Sequence, residues 1–161
     1  MDRQGLVAHP FYDKFEILGD VISKDIICEV RRCRNLWTKE KYIVKIVSKE
    51  DQYIDTEIVR KEIAKIRALD HPNLLKLYDV YKYLHRYYVV YEFCKAKSLL
   101  ESLENIEEKY NEYSVGKIIL QVLDLLKYMK SQKVIHANIN PHSILLIDAD
   151  TLEIKISDMG L

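Results

Sequence analysis

Val134-Ile135-His136-Ala137-Asn138-Ile139-Asn140-Pro141-His142-Ser143-Ile144-Leu145-Leu146 is the stretch that decides how this chain reads. A polar cluster holding one proline sits between two apolar runs, and fifteen residues after Ser143 comes Asp158-Met159-Gly160. Downstream of the cluster, Ile144 to Ile147 and Leu152 to Ile156 form a hairpin across Asp148-Ala149-Asp150-Thr151. Upstream, a helix from Ser114 to Ser131 carries Val115, Ile118, Ile119, Val122, Leu125, Leu126 and Met129 at helical spacing. That stripe is wide, which predicts a helix buried on most sides. A shorter helix fits residues 98–106.

Towards the N-terminus the periodicity changes to that of strands. Residues 15–22, 26–33 and 41–47 are rich in β-formers, with a polar link at 34–40 suited to a hairpin turn. A helix follows, capped by Thr56 or Asp55, with Ile58, Glu62 and Ile66 on one stripe. Pro72 ends it, because proline cannot continue a helix and restricts His71 before it. Two further strands fit residues 74–81 and 87–94. Residues 1–10 are mixed and read as loose.

The chain has 161 residues, suited to one ordinary domain, and at 48% hydrophobic and 31% charged it can bury a core. Its formal net charge is zero, which argues against a nucleic-acid binder. Cys28, Cys33 and Cys94 match no paired metal-ligand spacing and read as reduced thiols of a cytoplasmic protein. No apolar run approaches the roughly 18 residues that span a bilayer, and the N-terminus reads as neither a signal peptide nor a myristoylation site.

The layout around Asn138 resembles the catalytic loop of eukaryotic protein kinases, where H-R-D-x-K-P-x-N is followed by two strands and D-F-G. The resemblance runs from about Phe15 to Leu161, and its part from Phe15 to Val47 looks closest to the calcium/calmodulin-dependent kinase group. The run from Pro141 to Leu146 and the segment Tyr91-Glu92-Phe93 lean toward the calcium/calmodulin-dependent serine protein kinase of the membrane-associated guanylate kinases, a pseudokinase. The fold implied is α+β and protein kinase-like. It has a five-stranded antiparallel N-lobe with the family's αC helix, plus the first part of the helical C-lobe, truncated after the D-x-G turn. The domain division that follows is an extension at 1–14, an N-lobe and hinge at 15–94, and the beginning of a C-lobe at 95–161.

The resemblance then assigns roles, and shows which are lost. The family's glycine-rich loop falls on residues 23–30, where Ser23, Asp25 and Cys28 replace the glycines and Val30 is kept. A side chain at each position narrows the approach to phosphates, and Asp25 repels them. Lys45 stands where the family's lysine pairs the α- and β-phosphates, and Glu62 where its helical partner sits. Tyr91 takes the gatekeeper position, and the backbone of Glu92 and Cys94 faces an adenine edge. In the loop itself Asn138 replaces the aspartate that acts as base, Asn140 the lysine and Ser143 the magnesium-binding asparagine, while Ala137 replaces the arginine. An amide is no general base, and a base is worth ~10²–10⁴ in rate. Asp158 keeps the metal-binding position of D-F-G, with Met159 for the phenylalanine. His136 reads as structural.

These roles imply a catalytically impaired module that binds ATP, with magnesium through Asp158 alone. The alternatives are a weakly active ATP-dependent serine/threonine kinase and an interaction scaffold that binds no nucleotide. The apolar stripe of the Ser114 to Ser131 helix, with the rest of the family's helical core absent from the sequence, implies a protein partner or self-association.

Overall fold

The computed structural model describes residues 9–24, 26, 28–48, 63–103 and 111–157. They form two compact units, one from residues 9–48 and 77–93 and the other from 63–76 and 94–157.

The first unit is an antiparallel sheet of β1 (Phe15–Lys24), β2 (Cys28–Asn35), β3 (Lys41–Ser48), β4 (Leu77–Tyr83) and β5 (Arg86–Glu92), in the order β1-β2-β3-β5-β4. The expected strands are all present. β1 is longer than β2, and the excess is taken up by two irregularities, one between the pairs Leu18–Arg32 and Val21–Arg31 and one between Val21–Arg31 and Ser23–Val30. The first is the wider bulge. Gly19 sits in that bulge at φ +60, a conformation that side chains resist. Asn35 turns the chain from β2 to β3. Its side-chain oxygen accepts from the backbone of Trp37 (2.9 Å) and Thr38 (3.1 Å).

One sheet face is aromatic and aliphatic: Phe15, Cys33, Tyr42, Val44, Tyr81, Tyr88 and Val90. Phe11 closes it. This residue is fully buried, and its ring stacks on Tyr88 at 4.8 Å and on Phe15 at 5.4 Å. Residues 9–14 therefore fold back onto the sheet, beginning with His9, which the sequence placed in a loose segment. The turn is held by Phe15 N–H donating to the Phe11 carbonyl (2.9 Å) and Leu36 N–H to that of Lys14 (2.8 Å).

The second unit combines helical residues 63–68 (α1), β6 (Lys97–Ser98), α2 (Leu99–Leu103), α3 (Glu112–Ser131), β7 (Ile144–Asp148) and β8 (Glu153–Ile156). Ser98 and Glu101 make a reciprocal capping box on α2, at 3.0 and 3.1 Å. Asn111 caps α3 by accepting from Ser114 N–H at 3.0 Å. β6, β7 and β8 form a three-stranded sheet, and α3 packs on β8.

Residues 70–76, which the sequence grouped with the first five strands, belong to this second unit. Leu75 N–H donates to the Ile156 carbonyl at 2.9 Å and Ile156 N–H to that of Asn73 at 2.8 Å. The Asn73 amide donates to Gln121 Oε1 (3.0 Å) and the Ile154 carbonyl (2.9 Å), while the Gln121 amide donates to the Leu152 carbonyl (2.8 Å). Asp70 N–H donates to the Tyr128 hydroxyl at 2.9 Å, and His71 Nε2 lies 3.4 Å from Asp124. A polar latch thus ties the loop after α1 to α3 and β8.

The expectation that α3 is buried on most sides is not met. Ile118, Val122, Leu125 and Met129 are buried, but Val115, Ile119, Leu120 and Leu123 are 48–66% exposed. The hairpin and the latch cover one face, so only one half of the apolar stripe is packed.

Candidate functional site

Each unit carries its own candidate functional residues. In the first, the sheet register sets Val30 of β2, Lys45 of β3 and Val89 of β5 side by side. Strand alternation puts these three on the face opposite Val44 and Tyr88. Ser23 pairs with Val30 near the end of β1, and Cys28 opens β2 opposite Val47. Ser23 and Cys28 therefore stand on either side of Ile26, which is almost wholly exposed. Tyr91 is buried in β5 between Ile43 and Leu77, and Glu92 ends that strand opposite Tyr42. The boundary between the units falls between Phe93 and Cys94. Asp25, Glu62 and Asp158 lie outside the described residues, so the expected Lys45–Glu62 pair and the Asp158 metal position do as well.

The second unit holds the loop whole. His136 is 2% exposed, and its Nδ1 accepts from the Asn138 backbone N–H at 3.3 Å. Its structural reading follows, because the ring props the turn from below. Ala137 adopts φ +65, a left-handed conformation that costs an alanine roughly 1–2 kcal/mol. Asn138 follows it, exposed.

Asn140 organises the rest. Its side-chain nitrogen donates to Asn138 Oδ1 (3.0 Å) and the Asn138 carbonyl (3.2 Å). Its side-chain oxygen accepts from the backbone of His142 (2.9 Å) and Ser143 (3.2 Å). Pro141 fits the turn between them, since its fixed φ suits that position and no donor is lost. Ser143 is 1% exposed. Its hydroxyl donates to the Asn140 carbonyl (2.9 Å) and accepts from Asn140 N–H (3.0 Å). Its donor and one of its two acceptor sites are thus used inside the turn. Ser157 donates through its backbone to the Ser143 carbonyl at 2.8 Å and fixes the loop to the end of β8.

Chemically, this arrangement offers amides where proton transfer would need a carboxylate. Asn138 Oδ1 accepts a hydrogen bond and has no basicity at neutral pH. Among the described residues there is no cluster of three His, Cys, Asp or Glu side chains that could hold a metal ion. Cys33 is buried in the sheet, and burial pushes its thiol up to about 12, so it is no nucleophile.

Sequence reading missed the latch of Asn73, Gln121, Asp124 and Tyr128. The signal was present in Gln121, a polar residue within the Ile118, Val122 and Leu125 stripe of α3.

Comparison with known proteins agrees with this geometry. The protein kinase domain profile matches residues 25–161. The chain is 28% identical to the mouse serine/threonine-protein kinase DCLK3 over 98% of its length, and 32% identical to calcium-dependent protein kinase 5 of Plasmodium berghei over 98%. It is 31% identical to human myosin light chain kinase family member 4 over 99%. It spans 20%, 31% and 40% of those three proteins respectively. Among solved structures, it resembles that of Rad53 residues 1–466 in complex with AMP-PNP. The TM-score is 0.81 at 26% identity, covering 92% of this chain and 39% of the other. The architecture is the protein kinase fold, and the chain belongs to the protein kinase domain family.

Proposed function

We propose that this chain is a catalytically impaired kinase-fold module that works by binding. The observation that carries the reading is the bond from Asn140 Nδ2 to Asn138 Oδ1, at 3.0 Å. The two positions that serve as base and cation in the family are here two neutral amides bonded to each other. Asn140 is also bound into the turn by its side-chain oxygen. With base and cation both replaced, a usual kinase turnover of roughly 1–100 s⁻¹ is expected to fall by about 10³ or more.

Nucleotide binding is the part of the family's activity that the remaining residues support. Lys45 and Val30 share a row of the sheet, which fits a phosphate partner beside an apolar contact for a base. The backbone of Glu92 and Cys94 suits an adenine edge, and buried Tyr91 limits the space behind it. Magnesium, when bound with ATP, would shield phosphate charge, and Asp158 is its proposed ligand. Ser143 is left out of the metal set because its hydroxyl is engaged in the turn. The chain's lean toward the pseudokinase of the membrane-associated guanylate kinases supports the same reading. The half-exposed α3 stripe supports a role in holding a protein partner, in the cytoplasm.

The test is a thermal-shift titration with ATP, run with magnesium and with EDTA, on the wild type and Lys45→Ala. Stabilisation that needs magnesium and is weakened in Lys45→Ala is the expected result. A cooperative melt that ATP leaves unmoved in both buffers refutes nucleotide binding. Phosphoryl transfer at ordinary kinase rates refutes the impairment.

A further inference from the structure

The first unit carries a second concave site, on the sheet face opposite Lys45. Strand alternation places Lys45 and Val30 on one face and Ile46, Arg31 and Tyr88 on the other. There the turn containing Tyr12 borders a depression of about 580 Å³, within the roughly 300–1,000 Å³ usual for small-molecule sites. Phe15, Ile17 and Ile46 give it an apolar lining. Tyr12, Tyr88, Arg31 and Arg86 line it as well.

The lining holds two carboxylates, Glu16 and Glu29, and two guanidiniums, Arg31 and Arg86, but both carboxylates are engaged elsewhere than on Arg86. Glu29 pairs with Arg31 inside it, while Glu16 turns to Arg34, which is not part of it. Arg86 belongs to neither pair and is exposed at the start of β5. The Tyr12 and Tyr88 rings lie edge to face at 5.9 Å, and the Tyr12 phenol is within the electrostatic reach of both Arg31 and Arg86. Two tyrosines and a cation thus line one depression with an apolar surface, a composition suited to an anion attached to an apolar body.

We propose that this depression binds a small aromatic oxyanion, with the anion on Arg86 and the Tyr12 and Tyr88 hydroxyls and the ring against Ile17 and Ile46. The site stands on a different face from the nucleotide reading and does not depend on it. Its occupant would bridge the turn at 10–14 to β5, and so bear on the segment that Phe11 anchors.

The experiment is an NMR titration of the whole chain with phenyl phosphate, benzoate and inorganic phosphate. Saturable amide shifts at Ile17, Ile46 and Tyr88 are expected with the two aromatic probes. Affinity is expected to drop about tenfold in Arg86→Ala, to recover in part in Arg86→Lys, and to weaken with added salt. Because Arg86 is exposed, neither variant disturbs the packing beneath it. Equal shifts with inorganic phosphate would show an adventitious ion only, bound to a surface arginine, and would overturn the proposal. Unchanged affinity in Arg86→Ala, or no saturable shift at these amides, would overturn it too.

Discussion

Replacing Asn140 with lysine restores the residue that the family carries at that position, and the structure predicts that the restoration destabilises the loop. The Asn140 side chain makes four hydrogen bonds, two to Asn138 and one each from the His142 and Ser143 backbones. A lysine ammonium has no acceptor, so the two backbone donors lose their partner, and its flexible stem reproduces neither bond to Asn138. Each such bond is worth roughly 0.5–1.5 kcal/mol net. Asn140 is only half-buried, which puts each at the low end, so Asn140→Lys is expected to cost about 2 kcal/mol in all. Hydrogen exchange read residue by residue is the assay. The His142 amide, which donates to Asn140 Oδ1, should lose protection by about thirtyfold. The melting temperature should fall by roughly 4–8 °C for a chain of this size. Asn140→Asp keeps an oxygen for both backbone donors and should hold His142 protection close to wild type. If Asn140→Lys exchanges His142 at the wild-type rate and melts unchanged, the structural role assigned to this asparagine is wrong.

Further perturbations test the other supports. Phe11→Ala removes a fully buried ring stacked between Phe15 and Tyr88 and should cost about 3–5 kcal/mol in urea unfolding. Asn73→Ala leaves the Ile154 carbonyl and Gln121 without the latch amide and should lower urea stability by about 1–3 kcal/mol. The backbone N–H groups of Thr151 and Asp150 hold the Asp148 carboxyl below its ordinary value of 3.8. A folded pKa lowered in this way contributes stability above the unfolded value and loses it as pH falls through the folded one. The margin of wild type over Asp148→Asn in thermal melts should therefore be constant near neutral pH and shrink below 3.8.

How much of this was legible in the sequence depends on how far apart the interacting residues lie. The strands could be read because alternation is local. β3 at Lys41–Ser48 departs from expectation by a single residue, and the Val30–Lys45 pairing follows from two such strands joined by a short turn. Phe11 could not be read, because a short turn has no period and its stacking partner Tyr88 lies far along the chain. The α3 stripe shows a related limit. Helical spacing reveals which positions are apolar, but the number of neighbours available to cover them is a property of the whole unit.

The catalytic loop shows why a comparison of residue types misses part of the chemistry. Set against the family pattern, Asn140 is a lysine that has been lost. Read as residues, Asn-Pro-His-Ser is a turn signature, in which the asparagine side chain accepts from the two backbone amides beyond the proline. The same amide also binds Asn138, so the change at the base position and the change at the lysine position support one another. Returning an aspartate to position 138 alone would set a carboxylate against the Asn140 amide, where a hydrogen bond to the charged form favours ionisation and lowers basicity. Regaining a base of ordinary strength would require changing Asn140 as well, which removes the cap of the turn. On the proposed reading the impairment rests on the hydrogen-bonding of the loop, and single reversions are expected to recover little activity.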